Sequence, residues 1–302
     1  MFKKILVPLD GSELSEWALE PALALGMRCG GEVLLLRVLV AETMLAPALG
    51  ELDGWPDQTF KRYCKEARDY LETIQQVRAR PDFMLRARVI EGDAAAVIVE
   101  TAEAEKVDLI AMSTHGYSGI TRWMVGSVTE EVLRSAPCPV LVMRSPGPLR
   151  HILITLDGSE LSQQALRPGL EIAASLGGEV TLLRAVPDVR IEVSEVERFE
   201  RIERGLGRGL REGAYDYAQT YLKSLATANR SRGLYIRTAM QIGPAVEGIL
   251  KYVETNQIDL IVMSTRGRTG LRRQVLGSTT EKVLHGADCS MLIVPPTAHH
   301  LN

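Results

Sequence analysis

Short apolar runs alternate with amphipathic stretches along the whole chain, and their order is written twice. Phe2–Leu9 contains the run Ile5-Leu-Val and reads as a buried strand. Asp10-Gly-Ser follows as a turn, with Ser12 placed to cap a helix that carries Leu14, Ala18, Ala22 and Leu23 at core-facing spacing. Pro21 falls inside that helix and Pro168 at the matching point of the second copy. A proline in a helix interior costs about 3 kcal/mol, so a kink is expected at each. Val33–Val40 and Val180–Val186 are second strands, Leu85–Ile90 and Leu234–Ile242 third strands, and Leu109–Met112 and Leu260–Met263 fourth strands. Helices are predicted over Phe60–Arg78 and Gly213–Ala226. Two more run from Gly92-Asp-Ala to Lys106 and from Gly243-Pro-Ala to Asn256. A last helix and strand, Val140–Met143 or Met291–Val294, close each half.

Strands alternating with helices predict an α/β chain whose sheets are parallel and doubly wound. The repeat sets the domain count. Ile5-Leu-Val-Pro-Leu-Asp-Gly-Ser-Glu-Leu-Ser15 returns as Ile152-Leu-Ile-Thr-Leu-Asp-Gly-Ser-Glu-Leu-Ser162, an offset of 147 residues. Beyond Gly92 and Gly243 the offset is 151. Units of that length are duplicated domains, expected at 1–146 and 149–302, with the join in Ser145-Pro-Gly-Pro-Leu149. The least similar stretches are Ala41–Arg80 and Pro187–Gly233; the charge-dense Glu192–Arg211 reads as a solvated helix face or a mobile loop rather than a partner site.

Composition narrows the functional classes. A net charge of −3 gives no ground for a nucleic-acid or membrane-surface partner. No apolar run approaches 18 residues and the N-terminus lacks a signal-peptide layout, so a cytoplasmic protein is expected. Cys29, Cys64, Cys138 and Cys289 show no metal-ligand spacing; Cys138 and Cys289, at matched places beside apolar strands, read as buried thiols.

The candidate chemistry lies after the fourth strands. Val107–Ser127, VDLIAMSTHGYSGITRWMVGS, recurs as Ile258–Ser278, IDLIVMSTRGRTGLRRQVLGS. Each copy runs from an apolar strand through Ser-Thr-X-Gly and nine residues to Gly-Ser and a helical pattern. Glycines admit close approach of backbone to an anion, and the first N–H groups of a helix are unpaired donors. Ser127 with Glu130, and Ser278 with Glu281, also fit a capping box, in which the serines serve only the helix. The second glycine of each loop favours an anion cradle, since a cap needs only one. Neither GxxxxGK[ST] nor GxGxxG after the first strand is present. Asp10 and Asp157 are equally consistent with turn formers and with anchors for a sugar. No Ser/His/Asp set recurs, and His115, the one base candidate, is Arg266 in the second copy, so a dedicated enzyme is not indicated.

On these residues the chain resembles a tandem universal stress protein of the ATP-binding branch. The family pattern of glycine, two residues, glycine, nine residues, glycine and serine or threonine is met by Gly116, Gly126 and Ser127, and by Gly267, Gly277 and Ser278. The first glycine is Ser113 in one copy and Ser264 in the other. The resemblance implies Rossmann-like domains of strand order 3-2-1-4-5 with ATP, accompanied by Mg2+, across the strand ends. Asp10 and Asp157 would lie near adenine and ribose, and Val38 or Ala185 would cover the base. The loops with His115 or Arg266, then Ser127-Val128 or Ser278-Thr279, would hold the phosphates. Pro8 matches the family, and Thr155 departs from it. The implied activity is that of a stress-response regulator with little or no hydrolysis. A slow ATPase and an interaction module with vestigial sites are the alternatives. The resemblance further implies that the last strands pair, here within one chain as a pseudo-dimer, with further homo-oligomers open.

Overall fold

In a computed structural model of the chain, residues 2–40, 57–80, 83–114, 125–186, 206–230, 233–265 and 276–296 are described. The first half contributes β1 (Lys4–Pro8), α1 (Leu19–Cys29), β2 (Glu32–Leu39), α2 (Asp57–Arg78), β3 (Met84–Glu91), α3 (Ala94–Ala104), β4 (Leu109–Ser113), α4 (Ser127–Ser135) and β5 (Val140–Met143). The second contributes β6 (His151–Thr155), α5 (Glu160–Gln163), α6 (Leu166–Leu176), β7 (Glu179–Val186), α7 (Leu206–Ala228), β8 (Ile236–Ile242), α8 (Ala245–Asn256), β9 (Leu260–Ser264), α9 (Ser278–Gly286) and β10 (Ser290–Val294). One ten-stranded sheet results, in the order β3-β2-β1-β4-β5-β10-β9-β6-β7-β8. Each half therefore has the expected order 3-2-1-4-5. Within a half all pairings are parallel.

Strand alternation sends neighbouring residues to opposite faces. Ile5, Val7, Ile152 and Ile154 pack on one face under Leu25, Leu71, Leu170 and Leu222. Leu6 and Leu153 pack on the other, under Ile98, Val132, Ile249 and Val283. Matched acidic clamps tie the first strand of each half to its fourth. Asp108 Oδ2 accepts from the N–H groups of Lys3 and Lys4, and Asp259 Oδ2 accepts from those of Arg150 and His151.

Two local expectations are corrected. The prolines do not kink a helix: a 3-10 turn at Ser15–Ala18 precedes α1, and α5 precedes α6, so Pro21 and Pro168 each stand third in a new helix. There the missing N–H has no intrahelical partner to lose. The capping boxes also do not form. Gly126 and Gly277 are the N-caps, extended at φ −67° and −60°, and no side-chain cap bond is made at either helix. Ser127 and Ser278 are thereby first helical residues. The predicted helices Phe60–Arg78 and Gly213–Ala226 begin earlier, at Asp57 and Leu206. Residues 192–205 of the charge-dense stretch lie outside the described residues.

The halves meet at β5 and β10, which pair antiparallel with Leu292 opposite Leu141, Met291 opposite Val142 and Ile293 opposite Val140. All of these residues are buried. Arg144 N–H donates to Ser290 Oγ at 3.2 Å, and the Arg144 guanidinium donates to the Leu284 carbonyl. Above the seam, Glu130 faces His285 and Arg134 faces Glu281, each at 3.7 Å, so α4 and α9 exchange reciprocal pairs.

Candidate functional site

The Asp-Gly-Ser turn leaves the end of the first strand of each half. Asp10 Oδ1 accepts from Ser12 N–H at 3.0 Å, and Asp157 Oδ1 accepts from Ser159 N–H at 2.8 Å. The turn-forming role of both aspartates is therefore made in the structure. The serines then start the next turn, Ser15 N–H donating to Ser12 Oγ and Ser162 N–H to Ser159 Oγ, each at 3.1 Å. Gly11 and Gly158 take φ +82° and +93°, and an arginine lies under each. An added Cβ would come within 3.3 Å of Arg37 Nη1 or 2.9 Å of Arg184 Nη2. Arg37 donates to the Leu9 carbonyl, while Arg184 lies over the rings of Tyr217 and Tyr221 at 5.5 and 5.3 Å. Tyr70 occupies the place in the first half that Tyr221 holds in the second. Its hydroxyl donates to Glu16 Oε1 at 2.9 Å, and burial, helped by that carboxylate, pushes its pKa above the ordinary value.

The fourth strands end beside these turns. Thr114 N–H donates to the Met143 carbonyl at 3.1 Å, and Thr265 N–H to the Val294 carbonyl at 3.0 Å. Gly126 N–H returns to the Thr114 carbonyl at 2.8 Å, which brings the two ends of the glycine loop together. A Cβ on Gly126 would stand 3.0 Å from that same carbonyl, so any side chain there would press on the bond that closes the loop. Thr129 and Thr280 hydroxyls anchor the helices to the strand ends, donating to the Ser113 and Ser264 carbonyls at 3.0 and 3.1 Å. The N–H groups of the first turns of α4 and α9 consequently face the strand edge beside the aspartates. Of the acidic residues in those first turns, Glu130 faces the His285 imidazole and Glu281 the Arg134 guanidinium of the other half, and the arginine offsets charge beside the start of α9.

In the second half these parts enclose a cleft of about 140 Å3, roughly ten times the space one water needs. Asp157, Ala185, Ser264, Gly277, Ser278 and Thr279, all chosen on the sequence, line it together. Ser159, Ala245, Ile249, Met263 and Thr280, which the sequence did not single out, are among the other residues of the walls. Ala245 and Ile249 repeat Ala94 and Ile98 of the first copy, and that identity was a usable signal. In the first half Pro8, Asp10, Val38, Ser113, Gly126, Ser127 and Val128 stand on the corresponding elements. His115, Gly116, Arg266 and Gly267 lie outside the described residues. Among the described residues there is no group of three or more His, Cys, Asp or Glu side chains able to hold a metal ion, and no helix long and apolar enough to cross a membrane.

The fold and cleft define a tandem, doubly wound α/β protein with a cleft at the strand ends of its second half. The model of the universal stress protein family matches residues 1–144 and again 148–295, so the chain belongs to that family. Universal stress protein E homolog of Haemophilus influenzae is 25% identical over 316 aligned positions, covering 98% of each chain. Universal stress protein MJ0531 of Methanocaldococcus jannaschii is 33% identical over 147 residues, 48% of this chain and 84% of that one. The crystal structure of a universal stress protein from Archaeoglobus fulgidus superposes with a TM-score of 0.67 at 20% identity, covering 98% of this chain and 99% of that one, and shares its fold.

Proposed function

We propose that the chain is an adenine-nucleotide-binding universal stress protein that carries one ATP site in each of two domains, 1–146 and 149–302. It acts as a regulator whose nucleotide state governs its contacts. The observation that carries this reading is the convergence of Asp157, Ala185, Ser264, Gly277, Ser278 and Thr279 on one cleft. Its chemistry suits a nucleotide at both ends. Ala185, Ile249 and Met263 offer an apolar wall to a base, and Asp157 an acceptor for ribose hydroxyls. Ser278, Thr279 and the backbone N–H groups at the start of α9 supply phosphate donors. The first site would use Pro8, Asp10, Val38, Ser113, Gly126, Ser127 and Val128 in the same way, and His115 and Gly116, like Arg266 and Gly267 of the second copy, join the reading by their places in the repeated motif.

Mg2+ would travel on the phosphate oxygens with a serine hydroxyl in reach, since this ion keeps much of its water and needs few protein ligands. Little hydrolysis is the expected behaviour, because His115 is the one base candidate of the repeated loop and Arg266 replaces it in the second copy. Isothermal titration tests the reading. Two ATP should bind the unmodified chain, one each of Gly126→Val and Gly277→Val, and none the double variant. Unchanged stoichiometry in the double variant would refute it.

A further inference from the structure

The two sites are built on the same plan, yet their floors differ at two adjacent places. Thr155 ends β6 where Pro8 ends β1, and Ala185 stands on β7 where Val38 stands on β2. Strand alternation fixes the direction of these side chains. Leu153 packs on the face covered by α8 and α9, and Ile152 and Ile154 pack on the other, so Thr155 shares the face of Leu153. Its partner in register on β7 is Leu183, which packs on that same face, and Ala185 is the next residue along it. Thr155 and Ala185 thus sit side by side under the cleft that both of them line.

The Thr155 residue is 9% exposed, and its hydroxyl makes no hydrogen bond among the described residues. Its neighbours on the cleft wall are committed. Ser162 Oγ donates to the Ser159 carbonyl, Ser159 Oγ accepts from Ser162 N–H, and Thr280 Oγ1 donates to the Ser264 carbonyl. Thr155 lines the cleft, so its hydroxyl is left to water or to a ligand, and a ligand that displaces the water gains by replacing its hydrogen bond. Valine would match threonine in volume at this position without offering that bond. In the first site proline supplies neither donor nor acceptor from its side chain, and Val38 adds two methyl groups over the same floor.

We propose that the Thr155 hydroxyl is a specificity-determining group of the second site, hydrogen-bonding the nucleoside end of the bound nucleotide, and that the first site lacks this contact. The inference rests on the nucleotide reading above. Thr155 lies two residues before Asp157, at the strand end, whereas the phosphate donors belong to the start of α9; the contact is therefore to base or ribose. The second site recognises its ligand by a polar contact where the first relies on apolar cover.

The test uses the full chain carrying Gly126→Val, so that the second site alone is titrated, with ATP and AMP as separate probes. Thr155→Val should weaken both probes by about three- to tenfold, the worth of one ordinary hydrogen bond. Thr155→Ser, which keeps the hydroxyl, should bind both within about twofold of the parent, and guards against a loss of folding in the valine variant. Equal affinity of Thr155→Val and parent, or a loss seen with ATP but not AMP, overturns the inference while leaving the nucleotide reading intact. Failure of the parent to bind either probe overturns the nucleotide reading and this inference with it.

Discussion

The seam between the halves invites a double-mutant test of how far the two domains fold as one body. Leu141 and Leu292 are fully buried, stand directly opposite each other in the antiparallel pair, and belong to one continuous apolar cluster. Truncating either to alanine removes a buried isobutyl group and leaves a void, at a cost of about 3 kcal/mol within the usual range for such sites. For a cooperative unit of this size each single change should lower Tm by roughly 5–10 °C. The second truncation enlarges an existing void instead of opening a new one. The double variant should therefore lose less than the sum by about 0.5–2 kcal/mol. Leu71 on α2 is the control, equally buried but packed against β2 and β3. That is about three strand spacings, or about 14 Å, from β5. Leu71→Ala should add to Leu141→Ala within about 0.5 kcal/mol. Scanning calorimetry gives the readout, with a single endotherm expected for the unmodified chain. Two resolved endotherms in that chain, or strict additivity of Leu141→Ala with Leu292→Ala, would refute the reasoning.

Two further outcomes follow from charge and burial. Glu105 bonds to Lys4 at 3.1 Å and to Arg86 at 3.0 Å, with Arg88 beside it; these cations hold its pKa down to about 2 from the ordinary 4.5. A carboxyl depressed on folding stabilises above its unfolded pKa, and that stability drains away as pH falls from about 4.5 toward about 2. The gap in stability between wild type and Glu105→Gln should thus be about 1–2 kcal/mol at pH 7, after allowance for solvent screening. It should shrink on acidification to about pH 2.5 in thermal melts, and a pH-independent gap would contradict the assignment. Burial pushes the Cys138 and Cys289 thiols up to about 12, so an aromatic disulfide reagent should label the half-buried Cys29 and Cys64 in the native protein. It should reach Cys138 and Cys289 only on unfolding, as peptide mass spectrometry would reveal; equal labelling of all four contradicts it.

Most of the architecture was legible because hydrophobic period and duplication reinforce each other. Every strand core, from Ile5-Leu-Val to Met291–Val294, was found to within a residue or two at its ends. What escaped depended on contacts distant in sequence. Nothing local to Ser127 says that the Thr114 carbonyl will take the Gly126 N–H, yet that bond sets the start of α4 and turns the expected cap serine into the first helical residue. The prolines were noticed, but a break before a helix and a kink within one look alike in the sequence. Arg37 and Arg184 carried no signal of lying beneath their turns, since that depends on Gly11 and Gly158 admitting them. Thr155 was visible as a departure from Pro8; that its hydroxyl is unpaired and faces the cleft emerges only from strand register and packing.

The antiparallel seam has a consequence for traffic around the molecule. Because β5 and β10 run in opposite directions while all other pairings are parallel, the strands of one half end along one long edge of the sheet and those of the other half along the opposite edge. The two edges look away from each other, so a body resting against the strand ends of one half cannot also reach those of the other.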